Sequence, residues 1–177
     1  MIKKIVQKSD TVLRKVAKEI SIHEIKTPKI QKILKEMSAS LLSQSDGVAI
    51  AAPQIGYSLK IFVVSGKIFD KDFLIGKVPE KKENKKYKDV VFINPVISKL
   101  SREKDWVPEG CLSVRWLYGR THRSKKATVT AYDEHGKKFT RGASGLLAQV
   151  FQHETDHLKG ILFIDHAQDI KEEKPQK

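Results

Sequence analysis

The chain has 177 residues, one cysteine and a formal net charge of +13. This length can bury a core of its own, and a lone cysteine excludes a fold that depends on internal disulfides. No signal-like apolar stretch opens the sequence and no apolar run is long enough to span a membrane, so we expect a cytoplasmic protein. The positive charge suggests an anionic partner, although dispersed lysines that solubilise the surface explain it equally well.

The first half of the chain predicts one helix followed by two strands. Apolar residues at amphipathic spacing predict a helix over residues 29–44. Runs of β-branched residues predict strands at 60–64 and 90–97, with Pro95 marking a sheet edge or a bulge. The charged segment 65–89 between these strands is typical of an excursion from a hairpin.

The second half predicts a hairpin and then a second helix. Alternation over 127–132 and 137–140, around a turn that contains glycine, predicts a β-hairpin. Ser144 is a candidate N-cap for a helix over 145–158, and Gly160 provides a stop signal. The elements lack the regular strand–helix alternation of a parallel sheet, so we expect an antiparallel α+β fold.

The predicted second helix contains an H-E-x-x-H pattern. His153 and His157 stand four residues apart, so both imidazoles lie on one helix face and can bind one metal ion. Glu154 between them is placed to take a proton from water at that ion, which predicts metal-assisted hydrolysis. The pattern also arises by chance, and the two histidines would then be core residues hydrogen-bonded to the backbone.

A catalytic metal site usually has three protein ligands, so the two histidines are one ligand short. Cys111 is the strongest candidate because the preceding glycine allows close approach to a ligand or metal, and a thiolate binds metals strongly. A lone cysteine is also commonly a small buried apolar residue. The alternatives are a carboxylate or one of the remaining histidines, namely His23, His122, His135 and His166.

A third segment, Gly47–Gly56, is uncharged and rich in small residues. Small side chains would let a substrate backbone approach, and the amide of Gln54 could donate a hydrogen bond to a developing oxyanion. Taken alone, the segment is more typical of an ordinary small-residue core.

Together the three segments resemble the peptide deformylase family, whose motifs are G-x-G-x-A-A-x-Q, E-G-C-L-S and Q-H-E-x-D-H in this order. Glu109–Ser113 and Gln152–His157 match the second and third motifs without a mismatch. The resemblance covers most of residues 1–166 and implies one catalytic domain there, with antiparallel sheets packed around the C-terminal helix. Residues 167–177 are expected to form a short, charged, frayed tail.

The sequence departs from the family pattern in several places. Ala49 replaces the second glycine of the first motif, so a methyl group would project toward the path of the substrate. Arg115 stands where many members have proline, and the excursion at 65–89 is longer than expected. Many bacterial members continue beyond the equivalent of His166 into a helix associated with ribosome docking, a mode of docking that we do not expect here.

The resemblance implies a hydrolase that removes the formyl group from N-formylmethionine of newly synthesised polypeptides. Cys111, His153 and His157 would bind one divalent metal, with Fe(II) favoured and zinc, nickel or cobalt as other occupants. Glu154 would act as general base and then general acid, with a metal-bound water attacking the formyl carbon.

The resemblance also implies which residues surround the substrate. The backbone N–H of Leu112 and the side-chain amide of Gln54 would stabilise the oxyanion. The peptide would pair in extended form with the backbone near Gly47 and Ala49. Three residues are expected to accept the methionine side chain: Val48, Leu146 and Val150.

The expected partners are N-formylmethionyl nascent peptides and, through the basic surface, the ribosome. Neither membrane contact nor sequence-specific binding of nucleic acid is expected.

Two other interpretations remain open. A zinc endopeptidase shares the H-E-x-x-H helix but takes a downstream Glu or His as third ligand, and Glu172 and Glu173 are poor candidates in the charged tail. A basic, RNA-associated protein without catalysis would fit the charge and Ala49. The complete ligand set and the presence of Glu154 argue against a loss of catalysis.

Overall fold

The structure is a computed structural model that describes residues 1–69 and 88–174. In this part of the chain, two α-helices accompany a five-stranded and a three-stranded sheet. The helices are α1 (Pro28–Leu42) and α2 (Gly145–Leu158). The strands are β1 (Ala49–Ala51), β2 (Ile61–Val64), β3 (Val90–Leu100), β4 (Lys104–Gly110), β5 (Leu117–Ser124), β6 (Lys126–Tyr132), β7 (Lys138–Ser144) and β8 (Gln168–Glu172).

The five-stranded sheet has the order β1-β2-β3-β6-β7, and every neighbouring pair is antiparallel. All four residues of β2 are buried because both faces of this strand are covered. Ile61 and Val63 belong to the apolar cluster that includes the buried face of α1. Phe62 and Val64 belong to the cluster that includes α2. The sheet is therefore packed between the two helices, which confirms the predicted α+β class.

Helix α1 follows the predicted apolar spacing. Thr27 precedes it, and its hydroxyl accepts a hydrogen bond from the N–H of Ile30. Pro28 occupies the first helical position, where its missing N–H costs nothing. The observed helix begins one residue before the predicted range of 29–44 and ends two residues before its end.

Helix α2 spans the predicted residues, but its cap differs from the prediction. Ser144 makes no side-chain capping bond. It is extended and still pairs with Lys126 as the last residue of β7, so the strand continues to the first residue of the helix. Val150 is buried, whereas Leu146, in the first turn of the helix, is 39% exposed.

Strand β3 contains the irregularity that Pro95 predicted. Its register against β6 shifts between Ile93 and Val96. Asn94 has φ = 47° at this bulge, and its side chain bonds both the N–H and the carbonyl of Ile20. The predicted hairpin of strands 60–64 and 90–97 is confirmed, because β2 and β3 pair antiparallel. Residues 70–87 of the predicted excursion lie outside the described residues.

The three-stranded sheet has the order β4-β5-β8. The prediction that residues 167–177 form a frayed tail is wrong for β8, which pairs antiparallel with β5. Strand β5 offers backbone donors and acceptors along the edge that β4 leaves free, and β8 satisfies them while its charged side chains remain in water. Among the described residues, no helix is long and apolar enough to cross a membrane.

Candidate metal centre and active site

Three potential metal ligands converge at the end of β4 and on α2. The ligand atoms of Cys111, His153 and His157 all lie within 4.8 Å of one another. The Sγ atom of Cys111 is 3.2 Å from Nε2 of His157. This is the one such cluster in the described part of the chain, and the other four histidines lie outside it. One thiolate with two imidazoles is a donor set that fits zinc or ferrous iron.

The local geometry explains the glycine before Cys111. A Cβ atom on Gly110 would lie 2.7 Å from the ring of Tyr118, its partner across the β4–β5 ladder. The sequence prediction assigned this glycine to close approach of a metal or ligand. The structure adds a second reason for a glycine here, because the ring of Tyr118 packs directly over the strand end that delivers Cys111.

His153 is oriented by a buried carboxylate. Its Nδ1 atom lies 2.6 Å from Oε1 of Glu109, which leaves its Nε2 atom to bind a metal together with Cys111 and His157. Glu109 also accepts hydrogen bonds from Thr121 at 2.6 Å and from Nη2 of Arg123 at 2.6 Å. Burial raises the pKa of Glu109, but the hydrogen bonds from His153 and Arg123 outweigh it and hold the pKa far below its usual range. The carboxylate is therefore charged when it binds His153.

Arg123 connects this carboxylate to the helix that bears the histidines. Its Nη1 atom donates to Asp156 at 2.6 Å, while its Nε and Nη2 atoms donate to Glu109. Both Arg123 and Glu109 are nearly inaccessible to solvent. The guanidinium thus balances two carboxylates inside the protein and ties β4 and β5 to α2.

Glu154 sits beside the ligands with part of its carboxylate unsatisfied. Its Oε2 atom is buried and has no hydrogen-bond partner among the described residues. Burial, as the largest cause, raises the pKa of Glu154 to about 7. A buried polar atom without a protein partner is a site for water or substrate, and a carboxyl group with this pKa can both accept and release a proton near neutral pH.

The two histidines differ in their surroundings. Burial lowers the pKa of His157 well below its ordinary value, so this ring is neutral, the form that binds metals. Burial by itself would also lower the pKa of His153. Its hydrogen bonds with Cys111 and Glu109 nevertheless raise the pKa of His153 well above the ordinary value. A metal bound at Nε2 would displace that proton.

Gln54 is held in one orientation next to Cys111. Its Oε1 atom accepts from the N–H of Ala51 at 2.8 Å, which turns the amide nitrogen toward Ser113 at 3.1 Å and Cys111 at 3.6 Å. The carbonyl of Leu112 accepts from Gln7 at 3.0 Å. The N–H of Leu112 donates to no acceptor within the described residues. Both predicted oxyanion donors therefore lie beside the cysteine.

These groups open into one cavity of about 340 Å³. Its walls include Gly110, Cys111 and the residues that follow them, the first turns of α2, and the edge strand β1. All predicted site residues except His157 line it: Gly47, Val48, Ala49, Gln54, Cys111, Leu112, Leu146, Val150, His153 and Glu154. The sequence prediction thus placed residues from three distant segments around one cavity.

Comparison with known proteins agrees with this geometry. The model of the polypeptide deformylase family matches residues 2–173. A peptide deformylase from Desulforudis audaxviator is 37% identical over 170 residues, which cover 96% of each chain. The chain belongs to the peptide deformylase family. The predictions of the family, the fold class and the enzyme class are therefore confirmed.

Solved deformylase structures share the fold. A peptide deformylase from Legionella pneumophila is 35% identical with a TM-score of 0.76, covering 96% of this chain and 88% of that one. A class I type b peptide deformylase from Acinetobacter baumannii, solved with Met-Ala-Ser bound, is 28% identical with a TM-score of 0.78. It covers 94% of this chain and 99% of that one.

The alanine that departs from the first deformylase motif lies in the edge strand. Ala49 begins β1, pairs with Val64 and is 6% exposed. Its side chain belongs to the apolar cluster around α2 and also lines the cavity. The other edge of β1 is unpaired within the described residues because β1 ends the sheet.

The arginine that replaces the deformylase proline builds one lip of the cavity. Arg115 bonds Asp46 through both terminal nitrogens, at 2.5 and 3.0 Å, and bonds Gln44 at 3.1 Å. Its guanidinium lies 4.7 Å from the ring centre of Trp116. The hydrogen bond from Arg115 is the main cause that lowers the pKa of Asp46. Arg115 therefore tethers the segment before β1 to the turn that follows Cys111.

The sequence prediction missed the residues that support the ligands. The sequence analysis gives Glu109 no role beyond its place in the E-G-C-L-S motif. It gives no role to Arg123 or Asp156. Glu109, Thr121 and Arg123 lie on one face of the β4–β5 ladder, and only the pairing of these two strands brings them together.

Proposed function

We propose that this protein removes the formyl group from N-formylmethionine at the start of newly synthesised polypeptides, as a metal-dependent hydrolase. The observation that best supports this function is the convergence of Cys111, His153 and His157 within 4.8 Å of one another, beside a buried Glu154. The donor set fits a divalent metal, and the unsatisfied Oε2 atom of Glu154 leaves room for an external polar partner.

Cys111, His153 and His157 would hold the metal, with Fe(II) favoured and zinc, nickel or cobalt as other occupants. When bound, the metal would supply Lewis acidity toward a carbonyl oxygen and lower the pKa of water. The anionic Glu109 would keep Nδ1 of His153 protonated and its Nε2 directed at the metal.

Glu154 would move the protons of the reaction. It would accept a proton from the water whose oxygen adds to the formyl carbon, and then deliver that proton to the departing amine. The C–N bond breaks, and the products are formate and a free N-terminus. A pKa of about 7 suits both directions of transfer at neutral pH.

Gln54 and Leu112 would stabilise the charge that develops on the former carbonyl oxygen. The bond from Ala51 fixes the Gln54 carboxamide, so its N–H groups need no reorganisation when the charge appears. The backbone N–H of Leu112, next to Cys111, would be the second donor.

The methionine side chain would enter the apolar part of the cavity formed by Val48, Leu146 and Val150. The peptide backbone would extend along Gly47 and Ala49 and add a strand to the edge of β1 that is unpaired in the described part of the chain. The related Acinetobacter baumannii deformylase was solved with Met-Ala-Ser, a peptide that begins with methionine. We propose formylated nascent chains in the cytoplasm as the substrates, with ribosome contact through the basic surface.

The test is hydrolysis of formyl-Met-Ala-Ser by protein purified anaerobically, with the metal content measured on the same sample. We expect release of formate in proportion to the bound metal. Acetyl-Met-Ala-Ser and an internal peptide that contains Met-Ala-Ser serve as matched substrates. Cleavage of the internal peptide without release of formate would favour an endopeptidase and refute the proposal.

A further inference from the structure

The three-stranded sheet presents an aromatic and basic surface outside the cavity. Side chains alternate between the two faces of a strand, so the register of β4, β5 and β8 sorts them by face. Trp106 faces His122 across the ladder, and Tyr118 faces Lys171. We call the surface on this side the outer face. Its aromatic and basic members are Lys104, Trp106, Tyr118, Arg120, His122 and Lys171.

The outer face has no carboxylate at its register-paired positions. Among the register-paired positions of these strands, the carboxylates fall on the opposite side: Asp105, Glu109 and Glu172. The outer face has Lys104, Arg120 and Lys171, all exposed. The cations of this surface have no carboxylate among their register partners, which favours an anionic partner.

An aromatic stack lies among these cations. The rings of Trp106 and His122 are 5.0 Å apart at an angle of 16°, and Trp106 is 36% exposed. Arg120 donates to the backbone carbonyl of Trp106 at 3.2 Å, which keeps its guanidinium beside the stack. Exposed aromatic platforms next to cations bind unpaired bases, because each base stacks and its phosphate meets a positive charge.

We propose that the outer face binds single-stranded RNA, with a base on the Trp106–His122 stack and phosphates on Lys104, Arg120 and Lys171. The stack favours nucleic acid over an acidic protein, which would use the cations alone. The choice of RNA over DNA rests on the proposed function, since a growing polypeptide is joined to RNA. Tyr118 belongs both to this face and to the cavity wall, so bound RNA would lie beside the cavity mouth.

Charge reversal with a matched control tests the location of the face. One variant combines Lys104→Glu, Arg120→Glu and Lys171→Glu. The control combines Lys29→Glu, Lys32→Glu and Lys35→Glu on exposed positions of α1 and has the same net charge. Fluorescence anisotropy with labelled oligouridine RNA should show at least about tenfold weaker binding for the first variant. The slope of log K against log salt concentration should be shallower by about 2 than in the parent, because three phosphate contacts are lost.

Substitution of the tryptophan tests the stacking. Trp106→Phe should keep RNA binding near that of the parent, and Trp106→Leu should weaken it roughly tenfold. Retained deformylation of formyl-Met-Ala-Ser and an unchanged circular dichroism spectrum would show that both variants are folded. These measurements do not depend on the RNA assay, so loss of RNA binding and loss of the proposed activity are separate results.

Three results would overturn the proposal. Equal losses in the two charge-reversed variants would mean that RNA responds only to overall charge. Parental affinity in Trp106→Leu would remove the stack from the binding site. Binding of polyglutamate or single-stranded DNA as tightly as RNA would assign the face to another anionic partner.

Discussion

The Oε1 atom of Glu109 lies 2.6 Å from Nδ1 of His153, and the same carboxylate is held by Arg123. A charged group on strand β4 thereby sets the orientation of a candidate metal ligand on helix α2. Because Arg123 also bonds Asp156, the two elements are joined by a continuous set of charged hydrogen bonds. The orientation of His153 thus depends on residues outside the candidate set of metal ligands.

Glu109→Gln should weaken metal binding by about 10- to 100-fold, because a neutral amide is a poorer acceptor for the N–H of His153. Competition with a chelator measures this affinity. Thr121→Val is the matched control, since it removes a hydrogen bond to the same carboxylate while the charge stays. An equal loss of metal affinity in both variants would contradict a specific role for the Glu109 charge.

Glu154→Gln should abolish deformylation of formyl-Met-Ala-Ser while metal content remains near that of the parent. The amide has nearly the same shape but cannot take up the proton of the attacking water. Formate release and metal analysis on one preparation check this. Substantial turnover in the variant would remove Glu154 from the proton transfers.

The same variant should change how the stability of the metal-free protein depends on pH. The folded-state pKa of Glu154 is raised from 4.5 to about 7, so the folded protein retains a proton that the unfolded chain has lost between these values. The contribution of Glu154 to stability therefore falls as pH rises through this window. The parent should lose about 3 kcal/mol relative to Glu154→Gln between pH 4.5 and 7. Urea unfolding at several pH values measures the difference, and parallel curves would contradict it.

Ala49→Gly should leave deformylation equal or faster, because it restores the glycine of the family motif beside the substrate path. The variant should also be less stable by about 1 kcal/mol, since glycine gains freedom in the unfolded chain and the buried methyl group is lost. Steady-state kinetics and urea unfolding separate the two effects. A large loss of turnover would show that the alanine is adapted to this cavity.

Asp46→Asn should raise KM for a formylated tripeptide more than for formyl-Met amide. The substitution weakens the bonds from Arg115 that hold the segment before β1 against the turn after Cys111. Stability should change by less than about 1 kcal/mol, because Asp46 is half exposed and surface ion pairs contribute little. Equal changes in KM for the two substrates would contradict a role beyond the methionine pocket.

Local patterns in the sequence predicted the elements that depend on local physics. The apolar spacing of α1, the β-branched run of β2 and the hairpin of β6 and β7 need no distant partner to be recognised. The i, i+4 spacing of His153 and His157 reflects the chemistry of a metal, and Cys111 was added to them through the resemblance to the E-G-C-L-S motif. Each of these signals lies within a few residues of chain.

The missed features depend on pairing between distant segments. Strand β8 has a charged sequence that gives no strand signal, and it becomes a strand only because β5 offers a free edge. The buried Arg123 would be unfavourable alone, and its place in the core follows from the two carboxylates that surround it. Ser144 was expected to cap α2, but pairing with Lys126 keeps it in β7.

The edge of β1 that has no partner among the described residues has a consequence for the range of chains that the enzyme could serve. A peptide that completes a sheet is recognised through its own N–H and C=O groups, which are the same for nearly every amino acid. Selectivity would then reside almost wholly in the methionine pocket and the formyl group, and the residues after methionine would be read weakly. One protein with this edge could process the beginnings of very different polypeptides.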